Sequence, residues 1–361
     1  MKLLKDYAEE INKCSKCGLC QAVCPLYKLT GNDCAVSKGK FVMLDGVIKG
    51  DLELNKTINK YLEMCLKCGK CSDFCPSGID VCGIFRAAKF EYLKNGTEGK
   101  LIKFLQSDLM FDIPLSVLDK VHSVKKIKKV QSPQKNLFFF KGCANKVSSS
   151  SEKAIKKILS ELNIYNLIEE RVKCCGVPFA SSGNLKKFEE VKDYNLNIIN
   201  SSGCDYVVTD CASCADTISH YGGIGKPVLN FVEFLNGENI KFRFEKPVRV
   251  TFHKPCHFRN YDSVKNLLEQ SENIEYIEMP DFDECCGFSG QFAITNRKLS
   301  KELSRNKIKN ALSVKPDVIL TACPACLLGL QQGLMVNGDI LKRHPKIMNI
   351  TDFLAKGQPY L

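Results

Sequence analysis

Tryptophan is absent from the 361 residues, and no basic stripe is interleaved with aromatic side chains. The base-stacking surface of a nucleic-acid reader is therefore missing, and no nucleic-acid partner is expected. No run approaches the ~18 consecutive apolar residues of a membrane-spanning helix. The opening segment MKLLKDYAEEINKC has no apolar core of the secretory-signal kind, so a reducing, cytoplasmic setting is expected. No G-x-G-x-x-G stands between a strand and a helix, which removes a Rossmann-type flavin or nicotinamide site. Gly222-Gly223-Ile224-Gly225 reads as a turn. Hydrophobic residues make up 44%, ordinary for a soluble chain long enough for two or three domains without disulfide staples.

What the chain has is cysteine, 21 in all, and 18 of them fall into two patterns that each occur twice. Cys14, Cys17, Cys20 and Cys24 form C-x2-C-x2-C-x3-C before Pro25, and Cys65, Cys68, Cys71 and Cys75 repeat it before Pro76. The second pattern runs Cys143, Cys174-Cys175-Gly176, Cys211-x2-Cys214. Its copy runs Cys256, Cys285-Cys286-Gly287, Cys323-x2-Cys326. Cys34, Cys82 and Cys204 remain and read as packing cysteines.

Thiolates are the soft, anionic ligands that iron–sulfur clusters need. C-x2-C-x2-C wraps three sulfurs around one cluster, and the cysteine before proline reaches the other cluster. Cluster one then takes Cys14, Cys17, Cys20 and Cys75, and cluster two takes Cys65, Cys68, Cys71 and Cys24. Two such 4Fe–4S cubanes side by side make an electron wire. Five cysteines per copy of the second pattern exceed the four that a cubane or a zinc ion requires. They suit an unusual cluster, an ordinary one with a spare thiol, or zinc. Adjacent cysteines diverge unless the backbone bends, and Gly176 and Gly287 permit the bend. Bound clusters carry negative charge, so the formal net charge of +12 overstates that of the loaded protein. The densest basic run, Lys125-Lys126-Ile127-Lys128-Lys129, reads as a solvated connector.

Three regions follow. Residues 1–95 hold the first two cysteine groups with helix-like flanks, Leu3–Ile11, Ile58–Met64 and Ile84–Leu93. The ~40-residue gap between Cys24 and Cys65 is too long for a compact β-rich two-cluster ferredoxin, so an α-helical ferredoxin-like domain is expected. Residues 96–135 form a connector. Residues 136–361 are an internal repeat, 136–240 and 241–361, each an α/β half. Strands are expected at Asn136–Phe140, Asp205–Thr209, Val248–Phe252 and Asp317–Thr321. Helices are expected at Ser149–Asn163, Leu185–Asn200, Cys256–Gln270 and Asn296–Leu312. The cysteines fall where strands end, the usual ligand position in α/β sheets.

These motifs resemble the iron–sulfur subunits that carry two Cys-Cys-Gly domains. That family includes the D subunit of heterodisulfide reductase, the iron–sulfur subunit of glycolate oxidase, the C subunit of anaerobic glycerol-3-phosphate dehydrogenase and a lactate-utilisation protein. The resemblance rests on Cys24-Pro25-Leu26-Tyr27, Ser37-Lys38-Gly39-Lys40, Cys75-Pro76-Ser77-Gly78, Gly142-Cys143, Asp210-Cys-Ala-Ser-Cys214, His253-Lys-Pro-Cys-His257, Cys285-Cys-Gly-Phe-Ser-Gly290 and Cys323-Pro-Ala-Cys326. It implies that the ten Cys-Cys-Gly cysteines, Cys143, Cys174, Cys175, Cys211, Cys214, Cys256, Cys285, Cys286, Cys323 and Cys326, ligate one or two noncubane 4Fe–4S clusters between pseudo-twofold halves, with zinc as the alternative in one half. It also implies a relay that serves an FAD-linked dehydrogenase or oxidase of the glycolate, lactate or glycerol-3-phosphate type, or a membrane cytochrome. Any membrane contact would be peripheral and made through that partner. The competing reading is a heterodisulfide-reductase-like enzyme that cleaves a disulfide, with Cys286 and His257 as catalytic candidates. His253 and His257 flank Cys256 as proton donors or as hydrogen-bonding props for the loop, and the prop suits His253 better.

Overall fold

The computed structural model describes residues 2–94, 130–131, 133–337 and 344–361. The expected connector, with its basic run Lys125–Lys129, lies largely outside the described residues. No helix among the described residues is long and apolar enough to cross a membrane.

Residues 2–94 contain helices and loops and no strand. Helices Ser37–Lys49, Lys56–Glu63 and Val81–Lys94 bury Phe41, Leu44, Ile58, Leu62, Ile84 and Phe85 in one small core. Asn55 caps the second of these through its side chain, which accepts from the backbone of Thr57 and Ile58. The two cysteine loops are short, and each is bent by left-handed residues at matching places. These are Lys16 and Gly18 in the first loop and Lys67 and Gly69 in the second. Successive bends of this kind turn backbone N–H groups toward the sulfurs and form an anion-binding concavity.

The rest of the described chain builds two sheets of the same order. Strands β1 (Lys135–Phe139), β2 (Tyr165–Ile168), β3 (Tyr206–Thr209) and β4 (Val228–Asn230) lie in the order β2-β1-β3-β4, all parallel. Strands β5 (Lys241–His253), β6 (Glu272–Tyr276), β7 (Val318–Thr321) and β8 (Lys346–Asn349) repeat it as β6-β5-β7-β8. β9 (Gln358–Tyr360) adds antiparallel to the start of β5. Central strands β3 and β7 are buried almost throughout, as parallel strands covered on both faces should be. Helices Ser150–Leu162, Leu185–Ser201, Tyr261–Gln270 and Arg297–Ser313 stand within a few residues of their expected places, although the third starts five residues after Cys256.

One hydrophobic core serves both sheets: Leu137, Ile155 and Phe231 of the first half pack with Phe252, Leu267 and Leu320 of the second. The backbone of Ala212 donates to the carbonyl of Ala322 at 2.8 Å, which stitches the two C-x2-C turns together. A separate apolar cluster of Leu26, Leu66, Phe292 and Leu303 joins the helical region to the second half, with Cys24, Cys68, Cys256 and Cys285 around it. Ser289 Oγ donates to the Leu66 carbonyl at 2.7 Å and Lys70 pairs with Asp283 at 3.0 Å across the same contact.

Gly176 and Gly287 both have left-handed backbones, φ +85° and +83°, directly after the paired cysteines. A Cβ on Gly287 would sit 2.6 Å from Cβ of Leu303 and 2.9 Å from the Ser300 carbonyl oxygen. Gly287→Ala is thus expected to combine left-handed strain of roughly 1–3 kcal/mol with overpacking of similar size. Chemical denaturation of the metal-free protein reads the loss. A change below about 0.5 kcal/mol would contradict the bend's dependence on glycine.

Candidate metal centres

Two hollows occupy the helical region, and cysteines ring both. The first is lined by Cys14, Cys17, Cys20 and Cys75 together with Ser37, Lys38 and Cys71. The second is lined by Cys24, Cys65, Cys68 and Cys71, and also by Cys82, Ser37 and Lys40. Cys24 and Cys75 thus each reach the hollow formed by the other loop.

Local structure explains why the short Ser37-Lys38-Gly39-Lys40 segment lies here. Ser37 lines both hollows, and its hydroxyl pulls the Cys71 thiol down against the larger upward push of burial. Gly39 has no room for a side chain, since a Cβ would fall 2.2 Å from the Asp33 carbonyl oxygen. Lys40 is buried, and its ammonium donates to the carbonyls of Ala35 at 2.7 Å and Met64 at 2.8 Å beside the second hollow. A fixed cation there offsets anionic sulfur in a dry site.

The donor set fits iron–sulfur clusters. Burial pushes Cys24, Cys68 and Cys71 up from the ordinary thiol value, and backbone N–H groups of Leu26, Tyr27 and Lys70 pull the Cys24 and Cys68 sulfurs back down. Soft sulfurs, amide donors aimed at them and a dry wall are what a thiolate-bound cluster requires. Cys82, read from sequence as a packing cysteine, lines the second hollow, where burial holds its thiol at about 12. It belongs to neither spacing pattern, and the packing of helix Val81–Lys94 brings it there.

The ten remaining motif cysteines form one unbroken file. Neighbouring thiols that influence one another's titration run Cys143–Cys174–Cys175–Cys214–Cys211 in the first half. They continue across the seam to Cys323–Cys326–Cys286–Cys285–Cys256. The second half presents the equivalent cysteines in reverse order. Cys214 Sγ stands 3.4 Å from Cys175 Sγ. Sulfurs this close share protons: the thiols of Cys174 and Cys214 pull Cys175 down, while Cys174, then burial, push Cys143 up. At the far end Cys256 packs beside Cys68 of the second hollow, and their mutual repulsion adds to the burial that raises Cys68.

His257 and Cys286 stand in different surroundings. Ser213 Oγ lies 3.1 Å from His257 Nδ1 and 3.6 Å from Cys323 Sγ, so His257 meets the sulfur file through a serine of the other half. Cys286 is buried between Cys285 and Cys326. His253 is fully buried and makes no side-chain hydrogen bond of normal geometry, so it is not the hydrogen-bonded prop that the sequence suggests. Burial holds its imidazole near pKa 3, with the charge of Lys307 adding to the effect. Cys34 and Cys204 stand outside the sulfur groups, Cys204 in the core behind the first sheet.

Comparison with known proteins agrees with this layout. Residues 10–79 match the 4Fe-4S dicluster domain, and residues 137–219 and 250–331 each match the cysteine-rich domain. An uncharacterized iron–sulfur protein of Methanococcus maripaludis is 26% identical over 99% of this chain and 75% of its own length. The D subunit of dihydromethanophenazine:CoB–CoM heterodisulfide reductase from Methanosarcina acetivorans is 24% identical over 96% of this chain and 94% of its own. The glycolate oxidase iron–sulfur subunit of Escherichia coli is 22% identical over 88% of both.

Proposed function

From a chain that belongs to the iron–sulfur oxidoreductase subunits joining a 4Fe-4S dicluster domain to two cysteine-rich domains, we propose an electron relay between a dehydrogenase partner and the C-terminal sulfur file. Cys14, Cys17, Cys20 and Cys75 would hold one 4Fe–4S cluster, and Cys24, Cys65, Cys68 and Cys71 a second. The ten Cys-Cys-Gly cysteines would hold one noncubane cluster per half, the halves related by a pseudo-twofold through the Cys211–Cys323 contact. When bound, these clusters supply one-electron transfer, with potentials set by sulfur hydrogen bonding, charge and exposure.

The observation that carries the reading is continuity: Cys68 of the second hollow and Cys256 at the end of the file share one apolar cluster. Burial there excludes water, and the backbone amides hold the sulfurs in place. The chain shows no Rossmann fingerprint of its own. An FAD-linked oxidase or dehydrogenase of the glycolate, lactate or glycerol-3-phosphate class is the partner that would complete it, with a membrane cytochrome or quinone on the other side.

A second reading is supported by the Ser213–His257 contact. Reductive cleavage of a disulfide needs two electrons and two protons, and a histidine joined to Cys323 through a hydroxyl is placed to hold one of those protons. Steady-state assay of the anaerobic full-length protein with an artificial one-electron donor and an organic disulfide separates the two. The relay predicts no disulfide turnover and prompt reoxidation by a quinone. Turnover abolished by Cys286→Ala, with the iron of the helical region retained, would replace it with the enzyme.

A further inference from the structure

The two halves differ at one place where their cysteines do not. The residue three positions before the first cysteine of each half is Phe140 in one and His253 in the other. Phe140 is fully buried and packs with Cys174, Cys175 and Cys214. His253 is the last residue of β5, in register with Thr321, and is equally buried. One of its ring nitrogens and the sulfurs of Cys286 and Cys326 all lie within 4.8 Å of one another. These two cysteines correspond to Cys175 and Cys214, so the same corner holds a hydrocarbon ring in the first half and a nitrogen base in the second.

Both buried ring nitrogens lack normal hydrogen bonds, which makes the imidazole costly to keep there. The first half shows that phenylalanine fits such a corner without that cost. The imidazole is therefore accounted for by something that takes its lone pair. The sulfur neighbours point to a metal, because mixed nitrogen and thiolate sets suit both iron and zinc. We propose that His253 is a nitrogen ligand of the metal centre in the second half, joining Cys286 and Cys326, and that the two halves are thereby chemically unequal. The proposal rests on the second half holding a metal, as the proposed function requires.

The test is the crystal structure of the anaerobically loaded full-length protein, paired with a chelator challenge of His253→Phe and His257→Ala. A ring nitrogen of His253 is expected at about 2.0–2.1 Å from a metal. His253→Phe is expected to lose the second-half metal at least tenfold faster to chelator, while His257→Ala does not. Circular dichroism checks that His253→Phe remains folded. A metal whose nearest approach to either nitrogen exceeds 3 Å, or release unchanged in His253→Phe, overturns the ligand assignment and leaves the relay standing. A second half with no metal overturns both.

Discussion

Cys68→Ala is expected to remove about four of about 16 iron atoms per chain and to slow electron passage into the C-terminal sulfurs at least tenfold. Cys68 occupies two positions at once. It lines the second hollow with Cys24, Cys65 and Cys71, and it packs beside Cys256 at the end of the sulfur file. Alanine would therefore take away a proposed ligand and one of the contacts between the helical region and the second half. Cys82 lines the same hollow and is a thiol outside the proposed ligand set that could substitute. The double variant Cys68→Ala/Cys82→Ala is thus expected to show the full loss even if the single variant is partly rescued. Iron analysis and stopped-flow reduction by dithionite read the two effects. Full iron content in the double variant would sink the assignment of the second hollow.

Cys323→Ala should do more damage than a change at a cysteine away from the seam between the halves. Its thiol neighbours Cys326 within its own half and Cys211 across the seam. Its neighbour Ala322 accepts the backbone hydrogen bond from Ala212. Cys174 sits in the first half away from the seam, and its thiol neighbours are Cys143 and Cys175. Cys323→Ala is accordingly expected to lower metal content in both halves, by about eight iron, against about four for Cys174→Ala. Equal losses of about four in both variants would mean that the halves load independently.

The cysteine spacings carried most of the site into view, because covalent order confines C-x2-C-x2-C to one loop wherever the rest of the chain goes. The central strands were equally legible: Tyr206–Thr209 and Val318–Thr321 are short, β-branched, apolar runs that end two residues before a cysteine. The edge strands were not. Glu272–Tyr276 has one face in solvent and scarcely any apolar pattern, and Tyr165–Ile168 is only four residues long. β5 begins seven residues before the expected Val248, because Pro247 and a register irregularity between Arg243 and Val248 break its pattern, and its first part pairs with the distant β9.

The contacts of Cys82, Ser213 and His253 were beyond reach for a different reason. Each meets its sulfur neighbour through tertiary packing: Ser213 faces His257 across 44 residues and Cys323 across 110. One signal was present for His253. Aligning the two halves on their first cysteines sets it against Phe140, and a polar residue opposite a buried aromatic in a repeat marks a place where the copies differ in chemistry.

Metal counting tests the central claim most directly. The full-length protein, purified and reconstituted without oxygen, should hold about 16 iron and 16 acid-labile sulfide per chain with no stoichiometric zinc. About eight iron accompanied by one or two zinc would contradict it, leaving a two-cluster ferredoxin attached to a zinc-bound scaffold.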